Sequence, residues 1–120
     1  MGSKLQDEIK QVKPFADVRQ ETWLNLQRTA ALLTHFFEQK LRPYGLSPTQ
    51  YNVLRILRGA GGDGLCQADI GDRLVAQVPD VPRILDRMEK AGWVRSMDDH
   101  KPICWERTEL GTKEINDAEA

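Results

Sequence analysis

Cysteine is scarce in this 120-residue chain: Cys66 and Cys104 are the only two. They lie far apart and outside any CxxC or Cys/His cluster, which supports neither a structural zinc nor a disulfide framework. A surplus of one charge is missing too. The 17 Lys and Arg stand against 18 Asp and Glu, a net charge of −1 with a pI near 6.1. That balance argues against an overall basic nucleic-acid binder. No apolar run approaches the roughly 18 residues of a membrane span, and no charged-then-apolar leader opens the chain. The expectation is a soluble cytoplasmic protein with no membrane partner. What is present is ordinary: 40% hydrophobic and 29% charged residues, enough for one domain with a real core.

Polar residues and Pro14 make the first ~17 positions a frayed arm or short helix. From Val18 to about Leu41 the pattern turns helical, with Leu26, Ala30, Leu33, Phe37 and Leu41 on one stripe. Leu32 and Phe36 widen it, so this helix wants partners on more than one side; core packing is the first reading and a dimer contact the second. Ser47-Pro48-Thr49-Gln50 is a helix start, with Ser47 as N-cap, Pro48 at the first position and Gln50 completing a capping box. Leu46 and Tyr51 are spaced as a hydrophobic staple. The glycine-rich stretch Gly59 to Gly64 ends that helix. Leu65-Cys66 begins a weaker start signal, with Cys66 at the cap position and Ile70 and Leu74 as the buried edge. After the tight connection Val75-Ala76-Gln77, Pro79 opens another helix, on which Val81, Ile84, Leu85 and Met88 form a full amphipathic match. Gly92 is its left-handed cap. Trp93–Met97 and Ile103–Arg107 read as two strands of a hairpin around the polar tip Asp98-Asp99-His100-Lys101-Pro102. Thr108 caps a last helix.

Helix, short helix, turn, amphipathic helix and hairpin is the order of a winged helix-turn-helix. The predicted fold class is therefore mainly α with a small β-hairpin, preceded by a long N-terminal helix. Residues 1–46 form the arm and long helix, 47–108 the winged domain, and 109–120 the start of a C-terminal helix. Four stretches then resemble the bacterial MarR-type transcriptional regulators. They are Leu46-Ser47-Pro48-Thr49-Gln50-Tyr51-Asn52-Val53-Leu54, Leu65-Cys66-Gln67-Ala68-Asp69-Ile70, Arg83-Ile84-Leu85-Asp86-Arg87-Met88-Glu89-Lys90-Ala91-Gly92-Trp93-Val94 and Thr108-Glu109-Leu110-Gly111. Their order and spacing carry the resemblance, and the third is the most specific.

The resemblance implies a sequence-specific DNA-binding regulator, a repressor acting as a homodimer on a pseudo-palindromic operator in double-stranded DNA. It also implies release by a small, often aromatic, ligand or by cysteine oxidation. Family peroxide sensors carry a cysteine near the N-terminus, where this chain has none. The family normally continues through longer C-terminal helices, so this chain reads as short at that end. Candidate DNA contacts are Arg83 and Arg87 on the recognition helix, Gln77 and Asp80 leading into it, and Lys101 in the wing. His35, Tyr44, Tyr51 and Trp23 are the candidate ligand contacts, each with core or surface packing as the plainer reading. No cofactor is expected.

Against simple inheritance stand Asp80 and Pro82 at the start of the recognition helix, the acidic tip, and Arg107 where a leucine is usual. From Pro48 to Arg107 acids and bases also cancel in number. Since phosphate neutralisation supplies nonspecific affinity, weak binding to random duplex is expected. The alternative is a winged-helix protein-interaction module that has lost DNA binding. An enzyme is not supported, because there is no nucleophile–base pattern, phosphate-cradling loop or metal spacing.

Overall fold

Capping chemistry sets where most helices of this chain begin. The computed structural model describes residues 3–97 and 103–120, and its contacts separate into one unit ending at Phe37 and another, Glu38–Ala120. In the first unit Ser3 caps α1 (Lys4–Glu8) by accepting the Gln6 backbone N–H at 3.1 Å. Leu5 and Gln6 are buried, and Glu8 pairs with Arg28 of α2 at 3.2 Å. Helix α2 (Val18–Leu41) forms over the span that the apolar spacing predicts. Only Leu41, at its end, joins the core; Trp23, Leu26, Leu32, Leu33, Phe36 and Phe37 are 46–65% exposed. Among the described residues no helix is long and apolar enough to cross a membrane.

In the second unit a 3-10 turn (Arg42–Tyr44) leads to α3 (Pro48–Ala60), whose capping box forms as expected. Ser47 accepts the Gln50 N–H at 3.1 Å, and the Gln50 side chain accepts the Ser47 N–H at 3.0 Å. Leu46 and Tyr51 pack on one cluster across that start. Next come β1 (Leu65–Cys66), α4 (Gln67–Arg73), α5 (Val81–Lys90), β2 (Val94–Ser96), β3 (Cys104–Arg107) and α6 (Glu109–Glu119). Helix α5 ends as a full Schellman motif. Gly92 adopts φ +86°, its N–H donates to the Glu89 carbonyl, and the Trp93 N–H donates to the Met88 carbonyl. Fully buried Val53, Leu54 and Leu57 of α3, Ile70 of α4, Leu85 and Met88 of α5, Val94 and Ile115 make the core. Each large side chain there contributes about 1.5–3 kcal/mol by leaving water.

Three expectations need correction. The hairpin gains a third strand: the antiparallel order is β1-β3-β2, with Leu65 opposite Trp105 and Cys66 opposite Cys104. A two-residue strand has no periodicity of its own, and only its long-range partner makes it one. The two cysteines, read as an unpaired cap and a packed strand residue, form a disulfide across that register. The recognition helix starts at Val81, not Pro79, because Asp80 is the N-cap and Pro82 falls in the first turn, where its missing N–H needs no acceptor.

Helix α6 is tied to α3 by a polar knot. The Arg58 guanidinium donates to both Glu119 oxygens, and the Tyr51 hydroxyl donates to Glu119 Oε2 at 3.0 Å. The Arg58 hydrogen bond, aided by Tyr51, holds the Glu119 carboxyl below its ordinary 4.5. A depressed carboxylate contributes stability that is present above 4.5 and is lost as pH falls through its folded-state value. Because the pair is a third exposed, Glu119→Gln should cost only about 0.5–1 kcal/mol at neutral pH. Urea titrations across pH should show that difference shrink as the pH falls below 4.5 and the carboxyl is protonated. A difference that persists in acid would rule out the charge as its source.

Candidate nucleic-acid interface

Leu85 and Met88, three residues apart, are both fully buried and fix one side of α5 to the core. The opposite side therefore faces water, and it carries Pro82, Arg83, Asp86, Arg87 and Lys90, all exposed. Arg83 and Arg87 sit four residues apart, one above the other, as the spacing predicts. Their surroundings differ. Asp80 Oδ1 accepts the Arg83 backbone N–H at 3.3 Å, and Asp80 Oδ2 meets the Arg83 guanidinium at 3.2 Å. Asp80 is thus cap and counter-ion together, and it partly neutralises the first cation of the helix. Arg87 forms no ion pair with a described residue and is the more available of the two.

The segment between α4 and α5 is longer than the tight turn expected, running from Leu74 to Asp80. Gln77 lies exposed within it, its side chain donating to the Leu74 carbonyl at 3.4 Å. Asn52 of α3, which the sequence reading did not single out, anchors the segment by accepting the Val75 N–H at 2.9 Å. Glu89 was likewise missed: its carboxylate accepts the Ser96 N–H at 3.3 Å and joins α5 to β2. A lone Asn or Glu on a helix leaves no periodic signal, so only the folded neighbourhood shows either role. In the wing, Arg95 pairs with Glu106 directly across the strands at 2.6 Å. Lys101 and His100 lie outside the described residues.

The ligand candidates are spread out. Trp23 and His35 are both exposed on α2, and twelve residues of helix put them roughly 18 Å apart along its axis. Tyr44 and Tyr51 are half-buried against the core of the second unit. Burial first, and the Glu119 carboxylate second, push the Tyr51 phenol above its ordinary 10.0. An open hollow of about 410 Å³ lies beside the start of α3, lined by Glu38, Arg42, Gly45, Leu46, Ser47, Pro48 and Gln50. None of the four candidates lines it. Among the described residues no group of three His, Cys, Asp or Glu is placed to hold a metal ion.

This arrangement of an anchored helix with a cationic outer face beside a small wing has counterparts. The MarR family model matches residues 44–101. Over 70 residues the chain is 33% identical to the uncharacterized HTH-type transcriptional regulator YwoH of Bacillus subtilis (strain 168), a match covering 58% of this chain. The chain spans 50% of that relative's length. Among solved structures it is similar to a MarR transcription factor from Planctomyces limnophilus, with 30% identity and a TM-score of 0.73, covering 88% of this chain and 78% of that one. It is also similar to the M. tuberculosis transcriptional regulator MosR in complex with DNA, with 26% identity and a TM-score of 0.68, covering 79% and 73% of the two chains.

Proposed function

This chain belongs to the MarR family, and from that premise we propose that it is a sequence-specific DNA-binding transcriptional regulator. The observation that carries the reading is α5: Leu85 and Met88 hold it rigidly while Arg83, Arg87 and Lys90 face outward at its other side. A helix so mounted suits the major groove, where arginine reads guanine by two parallel hydrogen bonds. Crystallisation of the similar MosR with DNA supports the same use of the fold.

In this proposal the active form is a homodimer and its effect is repression. The exposed apolar residues of α2, above all Leu26, Leu33, Phe36 and Phe37, are the surface that a second copy would cover. Two copies place two α5 helices on half-sites one helical turn apart, and a small aromatic ligand that alters their separation would release the operator. The protein would work on cytoplasmic DNA and bind rather than catalyse. A second reading, a protein-interaction module, draws on the Asp80–Arg83 ion pair and the cancelling charges from residue 48 to 107.

Electrophoretic titration of the upstream region of its own gene, at several salt concentrations, tests the proposal. Specific, salt-dependent binding should weaken roughly tenfold or more in Arg87→Ala, the loss of one good base contact. Arg83→Ala should cost less, since Asp80 already occupies that side chain. Asp80→Asn keeps a capping side chain and removes the counter-charge, so affinity for random duplex should rise and become more salt-sensitive. If a broad genomic pool yields no bound fragment, the interaction module replaces the regulator.

A further inference from the structure

Helix α3 turns Tyr51, Arg55 and Arg58 to one side, because positions three and four apart along a helix stack on the same face. That face meets the end of α6. There Arg58 grips both carboxylate oxygens of Glu119, and the Tyr51 hydroxyl donates to one of them at 3.0 Å. Arg55 lies within electrostatic reach of the same carboxylate. Arg107, at the end of β3, brings a third guanidinium. Alternation along the strand puts it on the side of Trp105, which is buried in the core, whereas Glu106 takes the other side and pairs with Arg95. Arg107 is therefore half-buried at a core-facing position, within electrostatic reach of Arg58. Its guanidinium has no ionic or hydrogen-bonded partner among the described residues.

The charges here do not balance. Among the described residues Glu119 is the only carboxylate bonded to any of the three arginines. Burial first, and repulsion from Arg58 second, weaken the hold of Arg107 on its proton. A partly desolvated cation without a counter-ion is unfavourable, and an anion seated between Arg58 and Arg107 relieves both. We propose that Arg58 and Arg107, with Tyr51 and Arg55 at the margin, form a binding site for a small phosphate-bearing dianion, which takes the place of the Glu119 carboxylate.

Glu119 marks where such a ligand sits. The planar fork of an arginine takes two acceptor oxygens from a carboxylate or a phosphate alike, and a phosphate has a further oxygen for a second arginine. Double charge suits the group, since displacing Glu119 leaves all three guanidiniums facing the ligand. A monoanion would only exchange one single charge for another at Arg58. The site lies where α3, β3 and α6 pack together, not on the outer face of α5, so it goes beyond DNA reading and does not depend on it. Occupancy removes the polar tie between α3 and the end of α6. Ile115 and Ala118 stay buried, so the loosening is confined to the last turn.

The test is calorimetric titration of the full chain with inorganic phosphate at about pH 8, where it is doubly charged, with ionic strength held constant by sodium chloride. Binding should saturate. Arg58→Gln and Arg107→Leu should each weaken it roughly tenfold or more, the loss of one charge-assisted contact. Arg107→Lys keeps the charge without the fork and should fall between leucine and the parent. Glu119→Gln removes the competing carboxylate and should instead tighten binding roughly tenfold. Hydrogen exchange in the last turn of α6 should quicken when phosphate is added to the parent, and be fast from the start in Glu119→Gln. Absence of saturable binding in both the parent and Glu119→Gln overturns the proposal, as does an affinity that Glu119→Gln or both arginine substitutions leave unchanged. Duplex DNA presents singly charged phosphodiesters, so its affinity should be the same in Arg107→Leu as in the parent. If inorganic phosphate does not bind and Arg107→Leu weakens duplex binding, the arginines serve the DNA backbone and the proposal falls.

Discussion

Gly111→Ala should be among the most damaging single-methyl additions to this protein, lowering the stability of the second unit by about 3 kcal/mol. Elsewhere in a helix the same change stabilises by up to about 1 kcal/mol, because alanine has less backbone freedom to lose. Gly111 reverses the sign because it is buried in the first turn of α6, with the backbone of Trp93 directly against it. A Cβ there would collide with the Trp93 carbonyl oxygen, which is main chain and cannot rotate aside. Either α6 must lift or β2 must shift. The collision also threatens Thr108, which donates to the Gly92 carbonyl, accepts the Gly111 N–H at 3.1 Å, and so couples the end of α5 to the start of α6. Gly59→Ala is the control: that glycine is helical and exposed, and a Cβ there would meet nothing within 4 Å. Urea denaturation should show the two variants moving in opposite directions. A Gly111→Ala variant as stable as the parent would refute the close approach of α6 to β2.

The second large effect is loss of the Cys66–Cys104 bond. With a sequence separation of 38 between the two cysteines, the chain-entropy relation gives a stabilisation of about 4 kcal/mol, acting through the unfolded state. Against a typical domain stability of about 5–15 kcal/mol, this decides whether the second unit has a comfortable or a narrow margin. Denaturation of the same protein with and without reductant should expose the difference, and Cys66→Ser/Cys104→Ser should lose a similar amount irrespective of reductant. If reduction moves the midpoint hardly at all, the unfolded chain is not restrained by this bond, or the folded one is strained by it. The β2–β3 ladder would not be at risk, because its pairing from Val94 to Ser96 does not involve the sulfurs.

The features legible in the sequence share one property. Each depends on residues a few positions apart. The extent of α2, the capping box at Ser47, the staple of Leu46 and Tyr51, the buried edge of α5 and the left-handed Gly92 are all local patterns, and each stands in the structure as read. The order of those elements was enough to place the chain near its family. Their chemistry also placed Arg83 and Arg87 on one face of α5, since helical spacing alone fixes that.

What the sequence could not reveal depends on residues distant in the chain. Strand β1 exists only because Trp105 and Cys104 lie opposite it, and the disulfide exists only because β1 does. The cysteines looked unconnected at the outset for that reason: their partnership is a matter of strand register, which no spacing rule encodes. Asn52 holding Val75 and Glu119 holding Arg58 are of the same kind. Asp80, set against simple inheritance at the start of the recognition helix, is both the cap of α5 and the partner of Arg83. The sequence by itself determined which segments are helices and which residues each helix turns outward, because hydrogen bonding and side-chain period act over a single turn. The tertiary structure decided which outward charges remain available and which distant residues are joined, because those depend on neighbours that meet only when the chain has closed.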